Sequence, residues 1–386
     1  MRRAVIVDIL RTPFGRGREG GALSHMHPVD LYAQVLQTLV ARSGIDPALI
    51  EDVITGCVIQ VGEQSANIGR QAVLAAGLPE SVPALTIDRK CGSAQQALDF
   101  AAQGVIAGAY DIVIAGGVEM MSRVSAKSNR MGKDNMGPMY HARYPAGMVH
   151  QGISAELIAA EWQLGRSEMD AFALRSHNRA EGARDRIARD IMPVGNVDRD
   201  EGIRADTSLG KLASLRPAFE DPEMARRFPR IDWSVTAGNS SQVTDGAACA
   251  LIMEEATAAK LGLSPRAAIT GFAVVGDDPV MMLTGPIPAT RKLLARTGLS
   301  ADRIDAFEIN EAFASVVLAW QQEIGADPDR VNRYGGAIAL GHPVGASGLR
   351  LTANLLAALD ETGGKYGVQS MCESGGLANA TLFERL

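Results

Sequence analysis

The feature that most constrains this sequence is a regular alternation of short apolar runs with amphipathic segments over its first third. Such alternation is typical of βαβ units, in which helices connect parallel strands and cover the sheet that they form. The first third of the chain therefore predicts a mainly parallel sheet. We expect strands at residues 4–10, 53–59, 84–87 and 111–115, and helices at residues 31–42, 67–76 and 93–107.

The alternation is interrupted in the middle of the chain and then returns. Residues 122–233 are polar, basic and rich in methionine, which indicates an insertion or a lid. Both alternating parts contain a tight loop of small residues before a long helix, at residues 88–94 and 341–347. A duplicated fold would explain this echo, although glycine-rich turns before helices are common in α/β proteins. Further helices are expected at residues 155–162, 169–189, 290–297 and 312–324, and strands at 249–253, 269–275, 305–309 and 366–371.

Length and composition limit the kinds of protein to which this chain can belong. A chain of 386 residues is expected to form two or three packed units. The net charge of −6 gives no overall attraction to nucleic acid or to an anionic membrane, so neither is an expected partner. Asp8 and Arg11 interrupt the first apolar run, which predicts a buried strand rather than a signal peptide, and no run is long enough to cross a bilayer.

The four cysteines are widely spaced, without the paired spacing of a zinc site or a dithiol redox motif. We therefore expect reduced thiols, a cytoplasmic location and no bound metal. Cys57 and Cys249 lie in apolar runs and are expected in the core.

Cys91 is a candidate nucleophile. It follows the predicted strand at residues 84–87 and precedes the helix at residues 93–107, where free backbone N–H groups and the helix dipole would favour a thiolate. A small buried residue fitted to a tight turn is the alternative interpretation.

His342 and Cys372 are further candidates for chemistry. Glycines and Pro343 surround His342, so the imidazole would be held rigidly as a base, unless it is simply a hydrogen-bonded structural histidine. Cys372 ends a predicted strand before a glycine turn whose amides could face an oxyanion. Asn310 falls where a strand meets a helix, and an N-cap is its ordinary role.

A basic segment lies between Arg123 and Arg143, with Asp134 as its single acid. It predicts either a solvated loop or a contact with phosphate or with another subunit. Its basic residues are Arg123, Lys127, Arg130, Lys133 and Arg143.

Taken together, these segments resemble the thiolase family, in order along essentially the whole chain. The resemblance rests on six motifs: Cys91 with its neighbours, residues 115–122, residues 236–241, residues 310–314, the loop of His342, and Cys372 with its glycine turn. It implies two similar βαβαβαββ halves in a five-layered α-β-α-β-α sandwich with an inserted loop domain. The implied division is residues 1–121 with 245–266 for the first half, 122–244 for the insertion and 267–386 for the second half, in a homodimer or homotetramer.

The resemblance also implies a mechanism. His342 would take the proton of Cys91, and the thiolate would attack the 3-keto carbon of a 3-ketoacyl-CoA to form an acyl-cysteine. Cys372 would exchange the proton with the carbon of acetyl-CoA. The enolate oxyanion would be held by His342 and a water positioned by Asn310, and the tetrahedral oxyanion by the backbone N–H groups of Cys91 and Ser374.

Coenzyme A would be a substrate, and no permanently bound cofactor is implied. By resemblance, Arg204 would contact the adenine side and Ser241 the pantetheine, while His150 would line the pantetheine and acyl pocket. Lys211 stands where many members have a serine near coenzyme A. Gln151 replaces the methionine of acetoacetyl-specific members.

Two departures from the family pattern, Gln151 and the Glu-Ser-Gly-Gly turn after Cys372, bear on substrate choice. They favour a degradative 3-ketoacyl-CoA thiolase, with a hint of lipid or steroid side chains, over a biosynthetic acetoacetyl-CoA enzyme. A silent CoA- or lipid-binding relative should lack one of Cys91, His342 and Cys372, and a ketosynthase should use two histidines. A nicotinamide-dependent reductase should carry a glycine-rich loop after its first strand, where this chain has residues 11–14.

Overall fold

The computed structural model describes residues 2–126 and 128–386. The described residues form ten strands and fourteen α-helices. The strands are β1 (Ala4–Arg11), β2 (Gly15–Arg16), β3 (Asp52–Gly56), β4 (Ala84–Ile87), β5 (Ile112–Met120), β6 (Thr244–Glu254), β7 (Ala267–Gly276), β8 (Ala306–Ile309), β9 (Tyr366–Glu373) and β10 (Leu377–Arg385). The helices are α1 (Pro28–Ser43), α2 (Ile68–Ala75), α3 (Ser93–Ala107), α4 (Pro138–Arg143), α5 (Gln151–Glu161), α6 (Arg166–Gly182), α7 (Arg184–Ala188), α8 (Leu209–Ala213), α9 (Pro222–Arg227), α10 (Glu255–Lys260), α11 (Pro286–Thr297), α12 (Ala314–Ile324), α13 (Ala337–Leu340) and α14 (Ser347–Thr362).

The strands form two sets with the same order. The first set runs β4-β3-β5-β6-β1 and the second runs β8-β9-β10-β7, and a parallel bridge from Phe307 to Val331 adds the counterpart of β4 beside β8. In both sets the first pairs are parallel and the last pairs are antiparallel. This equivalence confirms the predicted duplication. The two sets join where β1 pairs with β7, at Ala4–Ile6 and Ala267–Ile269.

Helices lie between and outside the two sets of strands. α3 and α14 pack against each other, and each contacts strands of both sets. α1 and α2 cover the outer face of the first set, and α11 covers the outer face of the second, with α12 packed on α11. These layers are those of the predicted five-layered sandwich. The two tight loops that echo each other in the sequence lead into α3 and α14, so both loops meet in the central layer.

A long excursion separates β5 from β6, although these strands pair directly along their whole length. Helices α4 to α9 lie within it. The division of the chain into domains at residues 122, 245 and 267 stays a prediction, since strand pairing alone does not define a domain boundary.

Predicted and observed elements agree in type, and several of them differ at their ends. The strand expected at residues 53–59 ends at Gly56, and the helix expected at residues 169–189 is broken between α6 and α7 at Ala183. Cys57 therefore follows β3 instead of lying within it, but both Cys57 and Cys249 are buried in the core as expected.

Candidate active site

Cys91 lies in the central layer, one residue before Gly92, which caps the N-terminus of α3. Its side chain is buried and packs with Leu351 of α14 and Met371 of β9, and Val344 packs against the same cluster. The candidate nucleophile belongs to the first half of the chain, yet these neighbours belong to the second half.

Burial determines the protonation state of the Cys91 thiol. Burial raises the pKa of its thiol to about 12, and the nearby Glu373 carboxyl acts in the same direction. The backbone N–H of Cys91 lies against its own sulfur and opposes this shift. Burial outweighs the stabilisation that the start of α3 gives to a thiolate, so Cys91 rests as a protonated thiol. A base must remove the proton.

His342 is oriented as such a base. Its Nδ1 lies 2.6 Å from Oγ of Ser347, and that hydroxyl donates its proton to the carbonyl of Pro343 at 2.9 Å. Because the hydroxyl proton is already used, Nδ1 must carry the hydrogen of the imidazole, and Nε2 is left with a lone pair. Burial, reinforced by the charge of Arg350, lowers the pKa of His342 to about 3, so the ring is neutral and able to accept a proton.

The loop that carries His342 is anchored by two buried carboxylates. Glu311, from the second half, accepts a hydrogen bond from the backbone N–H of Ile338 at 3.2 Å. Glu119, from the first half, accepts one from the backbone N–H of Gly345. Anchors on both sides of the loop limit its movement relative to Cys91.

Asn310 and Cys372 complete the cluster. The Nδ2 atom of Asn310 lies 3.5 Å from Nε2 of His342, and the same side chain is within hydrogen-bond reach of the Cys372 thiol. Burial and then the proximity of Cys91 raise the pKa of Cys372 well above its usual value. Side chains at the start of α3, the end of β8, the end of β9 and the loop before α14 therefore converge at one buried place.

The N-cap role expected for Asn310 is wrong. α12 begins at Ala314, and its N-cap residue is Phe313, which makes no side-chain capping bond. The Oδ1 atom of Asn310 is buried and has no hydrogen-bond partner among the described residues. A polar atom of this kind is a site for an ordered water.

Ser374 lies in the hairpin turn between β9 and β10. Gly375 and Gly376 follow it with φ angles of 96° and 75°, a left-handed conformation that side chains disfavour. The Ser374 hydroxyl contacts the sulfur of Met282 at 3.7 Å.

A cleft of about 570 Å³ lies on the side of the excursion between β5 and β6. Arg204 and Ser241 line it, together with Phe219. Arg16 and Arg18 also line it, and the sequence analysis did not identify them. Their signal was present in the Arg-Gly-Arg triplet of residues 16–18, but a pair of arginines beside a glycine also suits a solvated turn.

The three other residues predicted to lie near coenzyme A or the acyl group are His150, Gln151 and Lys211. His150 caps α5 by accepting the N–H of Gly152 at 3.1 Å, and its ring stacks on Phe219 at 5.3 Å between centroids. Gln151 is the first residue of α5 and is half-buried. Lys211 is not among the residues that line the cleft, and its ammonium group bonds Asp206 instead.

Within residues 2–126 and 128–386, no cluster of three or more His, Cys, Asp or Glu side chains has the arrangement of a metal site. No helix in that part of the chain combines the length and apolarity needed to span a bilayer.

The basic segment of residues 123–143 is partly paired. Arg123 forms an ion pair with Glu63, and Asp134 bonds His141. Lys127 lies outside the described residues. The two interpretations of this segment, a solvated loop or a contact with phosphate or a subunit, both stay predictions.

Comparison with known proteins gives a consistent result along the whole chain. The model of the thiolase N-terminal domain matches residues 4–256, and that of the thiolase C-terminal domain matches residues 263–385. The chain is 45% identical to a steroid 3-ketoacyl-CoA thiolase of Mycobacterium tuberculosis, covering 100% of this chain and 95% of that protein. It is 41% identical to 3-ketoacyl-CoA thiolases of an Enterobacter species and of Escherichia coli, covering 100% of each chain.

Proposed function

The chain belongs to the thiolase family, and from this premise we propose that it cleaves 3-ketoacyl-CoA with coenzyme A through an acyl group on Cys91. Membership in the family makes the protein an acyltransferase, and thiolases use coenzyme A as a substrate. The proposal includes no permanently bound cofactor. The observation that carries the assignment of residues is the convergence of Cys91, His342, Asn310 and Cys372.

In the first half-reaction, Nε2 of His342 accepts the proton of Cys91 while the sulfur attacks the 3-keto carbon. The bond between C2 and C3 breaks, and its electron pair passes to the departing acetyl-CoA enolate. Cys372 donates its proton to C2 of that enolate. The raised pKa of Cys372 suits this role, because the thiol holds its proton until a strong base forms.

In the second half-reaction, the thiol of coenzyme A attacks the acyl-cysteine. Its proton restores Cys372, and the Cys91 sulfur leaves as it recovers the proton from His342. Each side chain therefore ends the cycle in its starting protonation state.

Two oxyanion sites are proposed at the cluster. His342 would hold the enolate oxygen together with a water that donates to Oδ1 of Asn310, which is supported by the absence of a protein partner for that atom among the described residues. The backbone N–H groups of Cys91 and Ser374 would hold the tetrahedral oxyanion. The N–H of Cys91 already points toward its own sulfur, which supports its part in this site.

The cleft is the proposed binding site for coenzyme A. Arg18 and Arg204 supply positive charge, Arg16 shares its charge with Glu201, and Ser241 and Phe219 line the same cleft. Phe219 contacts both His150 and Phe313, so a row of rings extends from the cleft toward Asn310. His150 and Gln151 would contact the pantetheine and acyl groups. Lys211 does not line the cleft, so it would interact with the phosphates of coenzyme A only from outside it.

The proposed acyl group is that of a lipid, and the steroid side chain is favoured by the similarity to a steroid 3-ketoacyl-CoA thiolase. Biosynthetic condensation of acetyl-CoA is the second candidate, since the same residues serve both directions. A homodimer or homotetramer and a cytoplasmic location complete the proposal. The four cysteines are free thiols, which supports a reducing compartment.

Intact-mass measurement after incubation with a 3-ketoacyl-CoA tests the proposal. A mass increase equal to the shortened acyl group is expected in the wild type and absent in Cys91→Ala, while Cys249→Ala, at another buried thiol, should keep it. An adduct that survives in Cys91→Ala would contradict the assignment. Loss of the 3-ketoacyl-CoA enolate absorbance, measured with acyl chains of increasing size and with a steroid side chain, would then define the substrate.

A further inference from the structure

Glu373 is a buried acidic residue beside the candidate active site. It is the last residue of β9, directly after Cys372, and its side chain is 0% exposed. Its carboxyl group lies against Gly92: a Cβ atom added to that glycine would be 2.0 Å from Oε1 of Glu373. The absence of a side chain at Gly92 therefore leaves room for this carboxyl group at the start of α3.

The carboxyl group has no partner for a negative charge. Neither Oε1 nor Oε2 accepts a hydrogen bond from any described residue. A buried carboxylate without a hydrogen bond or a paired cation is strongly unfavourable, whereas a protonated carboxyl group is tolerated. The geometry therefore favours the uncharged form of Glu373.

The charged and titratable groups around Glu373 come from three elements. Asp99 faces it from α3, while Asp88 and Arg89 approach from the loop before that helix. The thiols of Cys91 and Cys372 are also near enough for its charge to act on them. Burial raises the pKa of Glu373 to about 8, both aspartates act in the same direction, and Arg89 opposes them. The carboxyl group is thus uncharged at neutral pH and ionises in mildly alkaline solution.

Ionisation of Glu373 would destabilise the thiolate form of Cys91. A negative charge in this position makes a second negative charge on the sulfur harder to form. After burial, Glu373 is the largest contributor to the raised pKa of Cys91. The effect grows in a low-dielectric interior, from which water is excluded.

We propose that Glu373 is a positioning residue for acyl transfer: its uncharged carboxyl group packs on Gly92 and leaves Cys91 reactive, and its carboxylate suppresses the nucleophile. This inference rests on the proposed function, in which Cys91 is the nucleophile. It predicts that acyl transfer slows at alkaline pH because Glu373 ionises, although Glu373 exchanges no proton with the substrate.

Alkylation of Cys91 by iodoacetamide tests the inference without any acyl-CoA. The rate is followed from pH 6 to 10 by peptide mass spectrometry, so that Cys91 is separated from the other three thiols. In the wild type, the logarithm of the rate should rise with pH, rise less steeply just above pH 8 as Glu373 ionises, and then rise steeply again. In Glu373→Gln it should rise without this shallow region and lie roughly tenfold above the wild type at high pH, since one pKa unit is a factor of ten.

Asp99→Asn is the matched variant, because it removes a buried carboxyl group that faces Glu373. Burial raises the pKa of Asp99 to about 8 as well, so the two carboxyl groups ionise in the same pH range and each makes ionisation of the other harder. The Asp99→Asn profile should therefore keep the shallow region but shift it to lower pH. A wild-type profile without a shallow region would overturn the inference, even if Glu373→Gln failed to fold. A shallow region that persists in folded Glu373→Gln would overturn it equally. Failure of the acyl adduct to form would instead count against the proposed function and would leave these profiles unchanged.

Discussion

Gly348 of α14 lies so close to Gln95 of α3 that a Cβ atom added to the glycine would be 2.3 Å from the backbone nitrogen of Gln95. The obstacle is backbone in the first turn of α3, so it cannot move aside as a flexible side chain would. The contact fixes the distance between the helix that follows Cys91 and the helix that follows His342.

Gly348→Ala should therefore destabilise the protein by at least about 3 kcal/mol, the upper part of the range for overpacked cores. Gly182→Ala is the control, because Gly182 is exposed at the end of α6 and nothing lies within 4 Å of its added Cβ. That change should raise stability by roughly 0.5 kcal/mol. Urea unfolding measures both, and equal stability of the two variants would contradict the close approach of the helices.

Ser347→Ala should lower kcat by about 10–100-fold with little change in KM, because the imidazole of His342 would lose the acceptor that fixes its hydrogen on Nδ1. Ser315→Ala is a matched control, since its hydroxyl is equally buried and donates to the carbonyl of Ala155 at 2.9 Å, on a different helix. It should cost about 1 kcal/mol of stability and leave kcat unchanged. Similar kcat values for the two variants would exclude the orienting role of Ser347.

Arg18→Ala and Arg204→Ala should raise KM for coenzyme A several-fold, and the effect should shrink at high salt because it arises from exposed charges. Lys211→Ala should change KM much less, since its ammonium group is paired with Asp206 and lies off the cleft wall. Steady-state kinetics at two ionic strengths measure these differences. A larger effect at Lys211 than at Arg204 would place the phosphates elsewhere.

His177 should make stability depend on pH independently of catalysis. It is buried on α6, accepts the backbone N–H of Arg204 at 3.2 Å, and has its pKa lowered to about 4 by burial. Between pH 6.5 and 4 the unfolded chain binds a proton that the folded chain does not, so the free energy of unfolding falls as the pH falls, by up to about 1.4 kcal/mol per unit.

His177→Gln should remove this part of the pH dependence, which urea unfolding at pH 7 and pH 5 would show. The same replacement at exposed His25 is the control and should leave the wild-type dependence in place. An unchanged dependence in His177→Gln would mean that this histidine is solvated in solution.

Local patterns explain why the sequence predicted the elements well. The strand at Ala84–Ile87 and the helix at Ser93–Ala107 have the bounds expected from their periodicity, because each is determined by residues close in the chain. The break at Ala183 was missed, since the helical pattern continues through it. Pairing of β1 with β7 joins residues more than 250 positions apart, and no local pattern contains that information.

The candidate site also has features that the local sequence predicts and features that it does not. Cys91, His342 and Cys372 were identified from their local settings and their resemblance to family motifs, whereas their protonation states depend on burial by distant segments. The thiol of Cys91 is surrounded by Leu351 and Met371, so its raised pKa could not be inferred from the start of α3 alone. The role of Ser347 in orienting His342 likewise required the side-chain geometry.

The position of β1 has a consequence for synthesis of the protein. This strand is enclosed between β6 and β7, whose residues lie some 240 positions or more further along the chain. At a translation rate of about 5–20 residues per second, the first segment to leave the ribosome waits roughly 10–50 s for its neighbours. During that interval an apolar strand is without its partners, so the nascent chain should depend on chaperones at this stage more than the finished enzyme does.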